Sequence, residues 1–551
     1  MKAAGGETEW HTTIVIAPRV FHSREINTKF RTFLASPWNQ GALLVLLLAA
    51  GLRVWDLGLK PAHFDEGING MFIDRMASEG CYVYDPSNYH GPLYFYLLFV
   101  MQTLFGRSIE VLRMVSVLAG AGVVATVVWG YRRHFGRGVC LGWGALMAVS
   151  PALVFVSRYA IHEMVLLLFL LLLILGLLDR WRGRSGAWLI CLGAAGMVLT
   201  KETYLLHAIC LLLAWVTARL LARFSPDVPE APMDGANRPG GGRDLWLPGL
   251  AGVMAVLFFY SGNFLAPGGV KGLWQTFAVW SQTGIGASGH EKPWYYWLKL
   301  MSHYEWAGLA GFIAGIRFVF PSRRSIRFVV IAGTGTLVAY SIIPYKTPWC
   351  IVMLLGPGLL SLAWVLGEFS RRSRRGKIVA GLLGVLLAGH ALWMTCRLNW
   401  SRYDELTEPY VYVQTSRVAD RFLGPLRQAA RADDGRLRVP GMIVMNMSYP
   451  LPWVLADFPR LSYLEKHQPV DGRIKQAYFL LVTNSRRAEI EKAMHGRYFV
   501  RSLILWDPRD PLTAYFKEPF FAPYMNKDEV AWMIGGPDAA GTGEQGKAGA
   551  P

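Results

Sequence analysis

The chain has 551 residues, of which 53% are hydrophobic and 17% charged, and its formal net charge is +18. An ordinary soluble domain carries about 25% charged residues, so this composition, with its apolar residues in long blocks, excludes a wholly soluble protein. The arginines lie between those blocks, where loop orientation accounts for them, and nucleic acid is not an expected partner.

The first apolar block, LVLLLAAGL after Gly41, follows a basic stretch containing Arg19, Arg24, Lys29 and Arg31. It begins too far into the chain for a cleaved signal peptide and reads as a first membrane span, leaving residues 1–37 as a cytoplasmic segment. About eleven spans are expected, each long enough to cross a hydrocarbon core of roughly 30 Å or nearly so. They are 38–56, 109–131, 138–157, 163–180, 186–200, 203–222, 246–265, 304–320, 326–343, 349–369 and 377–397. With a cytoplasmic N-terminus, alternate loops carry the basic clusters: Arg132, Arg133 and Arg137; Arg180, Arg182 and Arg184; Arg219 and Arg223; Arg323, Arg324 and Arg327; and Arg371 to Lys377. Counting GPLYFYLLFVMQTLFG (91–106) as a span would break this parity, so it is expected as an interfacial or re-entrant helix in the first external loop.

The other set of loops holds carboxylates, histidines and lysines close to the membrane ends, where ionisable groups are costly and mark function by default. HFDEG (63–67) follows the first span: adjacent carboxylates suit a general base with an assisting acid, or a helix N-cap at Asp65. SNYHGPLYFY contains His90 and Tyr94, with Gly91-Pro92 also readable as a plain turn. SRYAIHE puts Arg158 and His162 on one helical face beside Glu163; they suit phosphate binding and metal ligation, or an ion pair closing a tight turn. LTKE supplies Lys201, which either meets a lipid phosphate or snorkels to the interface. GHEKPWYYW offers His290 and Lys292, with Trp294 and Tyr295 suited to sugar stacking or to an aromatic belt. IPYKTPW offers Lys346. His162, Glu163 and His290 are the candidates for a divalent metal. The spans themselves are nearly pure Leu, Val, Ala and Gly, which argues against a channel lining or a midplane transport site.

The loop 224–243 is rich in Pro and Gly and reads as disordered, like the tail 535–551. Between the last span and that tail, 398–534 reads as a small soluble α/β domain. RVPGMIVM, YFLLVTN and YFVRSLILW have strand character, and 413–431 and 486–494 have helical character. The six cysteines are scattered, without CxxC or zinc spacing.

Taken together, the acidic pair, HGPLYFY, the LFG-x-S run from Leu104 to Arg113, SRYAIHE and LTKE resemble the GT-C glycosyltransferases. The likeness is to the dolichyl-phosphate-mannose protein mannosyltransferases and aminoarabinose lipid A transferases. GHEKPWYYW, YKTPW, EPYVYVQTS (408–416) and SYPLPWVLADFP (448–459) resemble a subfamily described as flippase-activity-associated, from archaeal and bacterial glycosylation systems. The resemblance implies a GT-C membrane catalytic domain over 38–397 and an inverting direct displacement. It implies Asp65 as catalytic base, assisted by Glu66, and a polyprenyl-phosphate sugar as donor. Arg158, Lys201, Lys292 and Lys346 are the candidates for the donor phosphate, and His90, Tyr94, Trp294 and Tyr295 for acceptor or sugar. The acceptor would be a lipid, glycan or protein, and the site and the C-terminal domain would lie on the extracytoplasmic side of a plasma (inner) membrane. The chain departs from the family in having His90-Gly91-Pro92 where the mannosyltransferases have His-Pro-Pro, and Tyr89-His90 where the aminoarabinose enzymes have Glu-Lys. The WWDYG-type acceptor motif of oligosaccharyltransferases is absent. A lipid-linked-sugar flippase, or an accessory to one, is the alternative reading.

Overall fold

The structure is a computed structural model that describes residues 35–88, 90–230, 242–285, 289–465 and 467–535. The expectations for residues 1–34, for most of the 224–243 loop and for the tail lie outside the described residues, as does Tyr89. The described residues from Val45 onward cluster as one compact unit, which holds both the helical part and the C-terminal sheet.

Every expected span coincides with a helix. Eight are long and apolar enough to cross a membrane: Pro37–Val54, Ile109–Phe135, Glu163–Trp181, Tyr204–Leu221, Arg243–Tyr260, Arg324–Ile342, Pro348–Arg372 and Arg374–Ser401. Arg137–Val149 and Pro151–Ser157 form a pair bent by 60°, a ninth if taken as one span. Ala187–Thr200 and Trp306–Val319 are shorter, as is Leu93–Phe105, the segment expected at the interface. The bend has a local cause. Pro151 opens the second helix, so Ser150 lies outside both helical ladders. Buried Glu305 takes hydrogen bonds from the Ser150 hydroxyl at 3.0 Å and the Ala152 N–H at 2.7 Å. The bend delivers Arg158 to His162 to the head of helix 163–181.

Between the spans, Phe64–Glu79 is a helix whose N-cap is His63; Glu66 reaches back to the cap N–H and Gly80 ends the helix at φ +78°. Asp65 and Glu66 fall in its first turn, where the helix dipole favours negative charge. Gly268–Ile285 is also helical, a feature the sequence reading did not assign.

The C-terminal part is a six-stranded mixed sheet: β1 Gly441–Val444, β2 Leu461–Leu464, β3 Phe479–Thr483, β4 Gly496–Leu503, β5 Leu512–Lys517 and β6 Ala531–Ile534, in the order β2-β1-β3-β5-β4-β6. β1 runs parallel to β2 and β3, and the remaining pairs are antiparallel. Alternation along the strands builds two cores. Ile443, Phe479, Leu481 and Phe516 pack with Phe422 and Leu426 of helix Asp420–Ala432 on one face. Met442, Leu480, Val482 and Tyr515 pack with Ile490 and Met494 on the other.

Candidate active site

Asp65 and Glu66 are neighbours in sequence with opposite surroundings. Glu66 is fully buried and receives a bidentate grip from Arg113, Nε to Oε1 at 2.8 Å and Nη2 to Oε2 at 2.7 Å. The N–H groups of His63 and Ala160 add bonds at 2.8 Å each. Burial alone would raise this carboxyl, but the charge and hydrogen bonds of Arg113 hold it below its ordinary value. Glu66 therefore ties the first external loop to the SRYAIHE turn and does not line the cavity. The Asp65 side chain keeps 33% of its surface exposed and faces a cavity of about 420 Å³, a size that suits a small ligand.

Two main-chain ladders bring the remaining motifs to that cavity. His90 bridges to Lys201, and the Gly91 N–H donates to the Thr200 carbonyl at 3.1 Å, joining HGP to LTKE. On this wall Lys201 Nζ meets Glu163 Oε1 at 2.5 Å and His90 Nδ1 lies 3.1 Å from Glu202 Oε2. The His162 ring packs 4.5 Å from that of His90 and 4.4 Å from that of Tyr94. Burial, then His90 and Lys201, push the His162 imidazole well below its ordinary pKa, so it is neutral. Burial opposes the charge on Lys201 as well, but Glu163 outweighs it and raises the ammonium well above the ordinary lysine value. The second ladder pairs Glu291 with Tyr345; Lys292 N–H donates to Pro344 and Lys346 N–H to His290, joining GHEKPW to YKTPW. The third wall is the segment after the last span. The Tyr412 hydroxyl lies 2.6 Å from His290 Nδ1. Burial and then Lys292 lower His290, against the opposing pull of Asp65 and Glu291.

Of the expected site residues, Asp65, His90, His162, Glu163, Lys201 and His290 share this cavity. The others do not line it. Arg158 donates to the carbonyls of Arg53 at 3.2 Å, Trp55 at 2.5 Å and Asp56 at 2.8 Å, capping the C-terminal end of the first helix. Lys346 Nζ is held by the carbonyls of Lys292 and Ile343. Lys292 Nζ sits 5.6 Å from the centre of the Tyr412 ring and is not among the cavity residues. The Tyr94 hydroxyl engages Ser116 at 2.9 Å. Trp294 and Tyr295 are 67% and 48% exposed and are not among the cavity residues. The aromatic residues that line it include Trp280, Trp349, Tyr412 and, from the C-terminal part, Trp506, with Glu202 and Arg509 as further charges. Trp349 and Tyr412 stand in motifs already noted in the sequence; Trp506 ends the run YFVRSLILW, whose pattern indicates only a strand, and Arg509 carries no signal. Among the described residues no three His, Cys, Asp or Glu gather as a metal-ligand set. Glu163 is neutralised by Lys201 and His162 is packed between rings, so the residues expected for a metal are arranged for other contacts.

Residues 89–227 match the sequence profile of the dolichyl-phosphate-mannose-protein mannosyltransferase family. No curated protein matches significantly. Among solved structures, ArnT from Cupriavidus metallidurans bound to undecaprenyl phosphate is similar at 13% identity, covering 89% of this chain and 98% of that one, with a TM-score of 0.52. Its apo form gives 14% identity, the same coverage and 0.53. An oligosaccharyltransferase from Archaeoglobus fulgidus, tethered to an acceptor peptide containing the NVT sequon, gives 11% identity, covers 92% of this chain and 76% of that one, and has a TM-score of 0.51. At these identities the shared property is the fold, a membrane helical bundle followed by a C-terminal domain.

Proposed function

We propose, from the premise that this chain is a membrane glycosyltransferase of the GT-C superfamily, that it moves a sugar from a polyprenyl-phosphate donor onto a hydroxyl acceptor, with Asp65 as base. The observation that carries this reading is the meeting of Asp65 with Lys201, His90, His162 and His290 on one cavity, although they come from separate turns of the chain. The acceptor oxygen attacks the anomeric carbon and its proton passes to the Asp65 carboxylate. The bond from that carbon to the phosphate oxygen breaks from the opposite side, its electron pair leaves with the phosphate, and configuration inverts. General-base assistance of this kind contributes about 10²–10⁴-fold. Lys201, charged and already turned toward the cavity, stabilises the departing phosphate, and Arg509 lies on the same cavity. Trp280 and Trp349 supply the flat apolar faces for the sugar, in place of Trp294 and Tyr295. The active side is the extracytoplasmic one, since the arginine clusters fall on the other set of loops. No step is routed through a metal.

The test uses membranes containing the chain and polyprenyl-phosphate donors carrying radiolabelled mannose, glucose or aminoarabinose, with label counted in material other than donor. Asp65→Asn is expected to lower the rate with the active donor by at least about 10²-fold. Wild-type transfer by Asp65→Asn would remove Asp65 as base.

A further inference from the structure

We infer that His63 is a positioning residue for Asp65, locking the carboxylate to the segment that follows the last span while touching neither donor nor acceptor. The inference rests on the reading of Asp65 as base. His63 is buried, with 1% of its surface exposed, and is absent from the cavity wall. Both ring nitrogens are engaged, and their partners assign the tautomer. Nδ1 accepts the Asp65 N–H at 3.1 Å, so it carries the lone pair. Nε2, 2.8 Å from the Tyr412 carbonyl, therefore carries the proton and donates it. The His63 N–H in turn donates to Glu66 at 2.8 Å. Tyr159 at 5.0 Å and Trp349 at 5.8 Å hold the ring itself.

This arrangement does two things. The neutral imidazole sets its Nδ1 lone pair 3.9 Å from Asp65 Oδ2 and puts no cation beside the carboxylate. The bond to Tyr412 fixes the same turn to the wall carrying the Tyr412–His290 contact, so base and opposite wall move as one body. A serine or asparagine cap could hold the helix start, but only a ring of this length joins Asp65 to Tyr412.

The experiment compares His63→Asn, His63→Leu and Asp65→Asn as purified monodisperse protein in lipid nanodiscs. The donor is whichever of the three radiolabelled donors is active, and rates are counted per folded molecule. Asn can still accept the Asp65 N–H as a helix cap but cannot reach Tyr412; Leu can do neither. The expected result is a fall in kcat of about 10²-fold for Leu and about tenfold for Asn, in keeping with the sensitivity of rate to small misplacement. The donor KM is expected to stay within about twofold, because Lys201, the group assigned to the donor phosphate, is held by Glu163 and not by His63. Two results overturn the inference: wild-type kcat in the Asn variant, or a raised donor KM with kcat unchanged. If His63→Leu does not yield monodisperse protein, the Asn variant decides alone. Asp65→Asn separates the two readings. An active Asp65→Asn protein removes the base itself, whereas an inactive one beside fully active His63 variants removes only the positioning role.

Discussion

On a helix, successive side chains leave the axis about 100° apart, and at Asp65 and Glu66 that angle divides a half-buried carboxylate facing the cavity from a fully buried one. Glu66 accepts four hydrogen bonds, two from Arg113 and one each from His63 and Ala160, while the Arg113 guanidinium also holds the carbonyls of Leu57 and Lys60 at 2.8 and 3.0 Å. Removing one member of such a pair leaves the other charged and buried, which costs about 3–5 kcal/mol. Glu66→Gln is therefore expected to melt well below the wild type at pH 7, measured by loss of monodisperse protein on heating in detergent. The pH dependence follows from the lowered Glu66 carboxyl. A carboxyl whose folded pKa is depressed stabilises the fold above its unfolded value, near 4.3, and that contribution disappears as pH falls through the folded value. The gap between wild type and Glu66→Gln should thus persist from pH 7 to about 5 and shrink as the pH falls below the unfolded value near 4.3. Equal melting at pH 7 would show that the pair does not hold the loop.

At the scale of elements, the turns are assembled by main-chain pairing, and this explains a departure from the mannosyltransferase pattern. Gly91 stands where His-Pro-Pro would place a proline, but its N–H donates to the Thr200 carbonyl, a bond proline cannot make. A Cβ built at Gly91 would lie 2.3 Å from both the carbonyl carbon and the oxygen of Leu199. Gly91→Ala must push the HGP turn off the LTKE turn and carry His90 away from Glu202 and Lys201. Transfer per folded molecule is expected to fall by about tenfold or more, and a wild-type rate would mean the ladder does not set the site. The spans were legible because blocks such as MVLLLFLLLLILGLL admit no other solvent. Helix Gly268–Ile285 was not legible, since Gly, Lys, Gln, Thr and Ser interrupt its apolar residues. The strands at β1, β3 and β4 were read from their apolar runs, whereas β2 and β6 are short edge strands with half-exposed patterns. Cations misled for a physical reason. At a helix end an Arg or Lys either reaches a ligand or caps carbonyls, and sequence does not distinguish the two. Arg158 and Lys346 cap, while Lys201 faces the cavity.

Over the whole chain, helix 64–79 is the part that both the bundle and the C-terminal sheet region grip. Arg113 holds it from the bundle. From the other side, a Cβ at Gly67 would meet Pro450 Cα at 2.4 Å and one at Gly70 would meet the Trp453 ring at 2.4 Å, so the two glycines leave the face on which helix Leu451–Val454 rests. Phe64 adds edge contacts with Tyr449 at 5.5 Å and Trp506 at 5.7 Å. Arg107 lies 4.6 Å from the Trp453 ring and donates to the Trp453 carbonyl at 2.5 Å. The C-terminal region thereby reaches the cavity, whose wall includes its Trp506 and Arg509. Gly70→Leu inserts a side chain where the Trp453 ring packs, without altering any cavity group. It is expected to make the C-terminal region more sensitive to limited proteolysis and to lower transfer severalfold. Adding Trp453→Ala to Gly70→Leu removes the clash, so the double variant should recover part of the rate, a coupling that independent sites would not display. A Gly70→Leu protein with wild-type cleavage pattern and wild-type rate would show that the docked face has no part in forming the site.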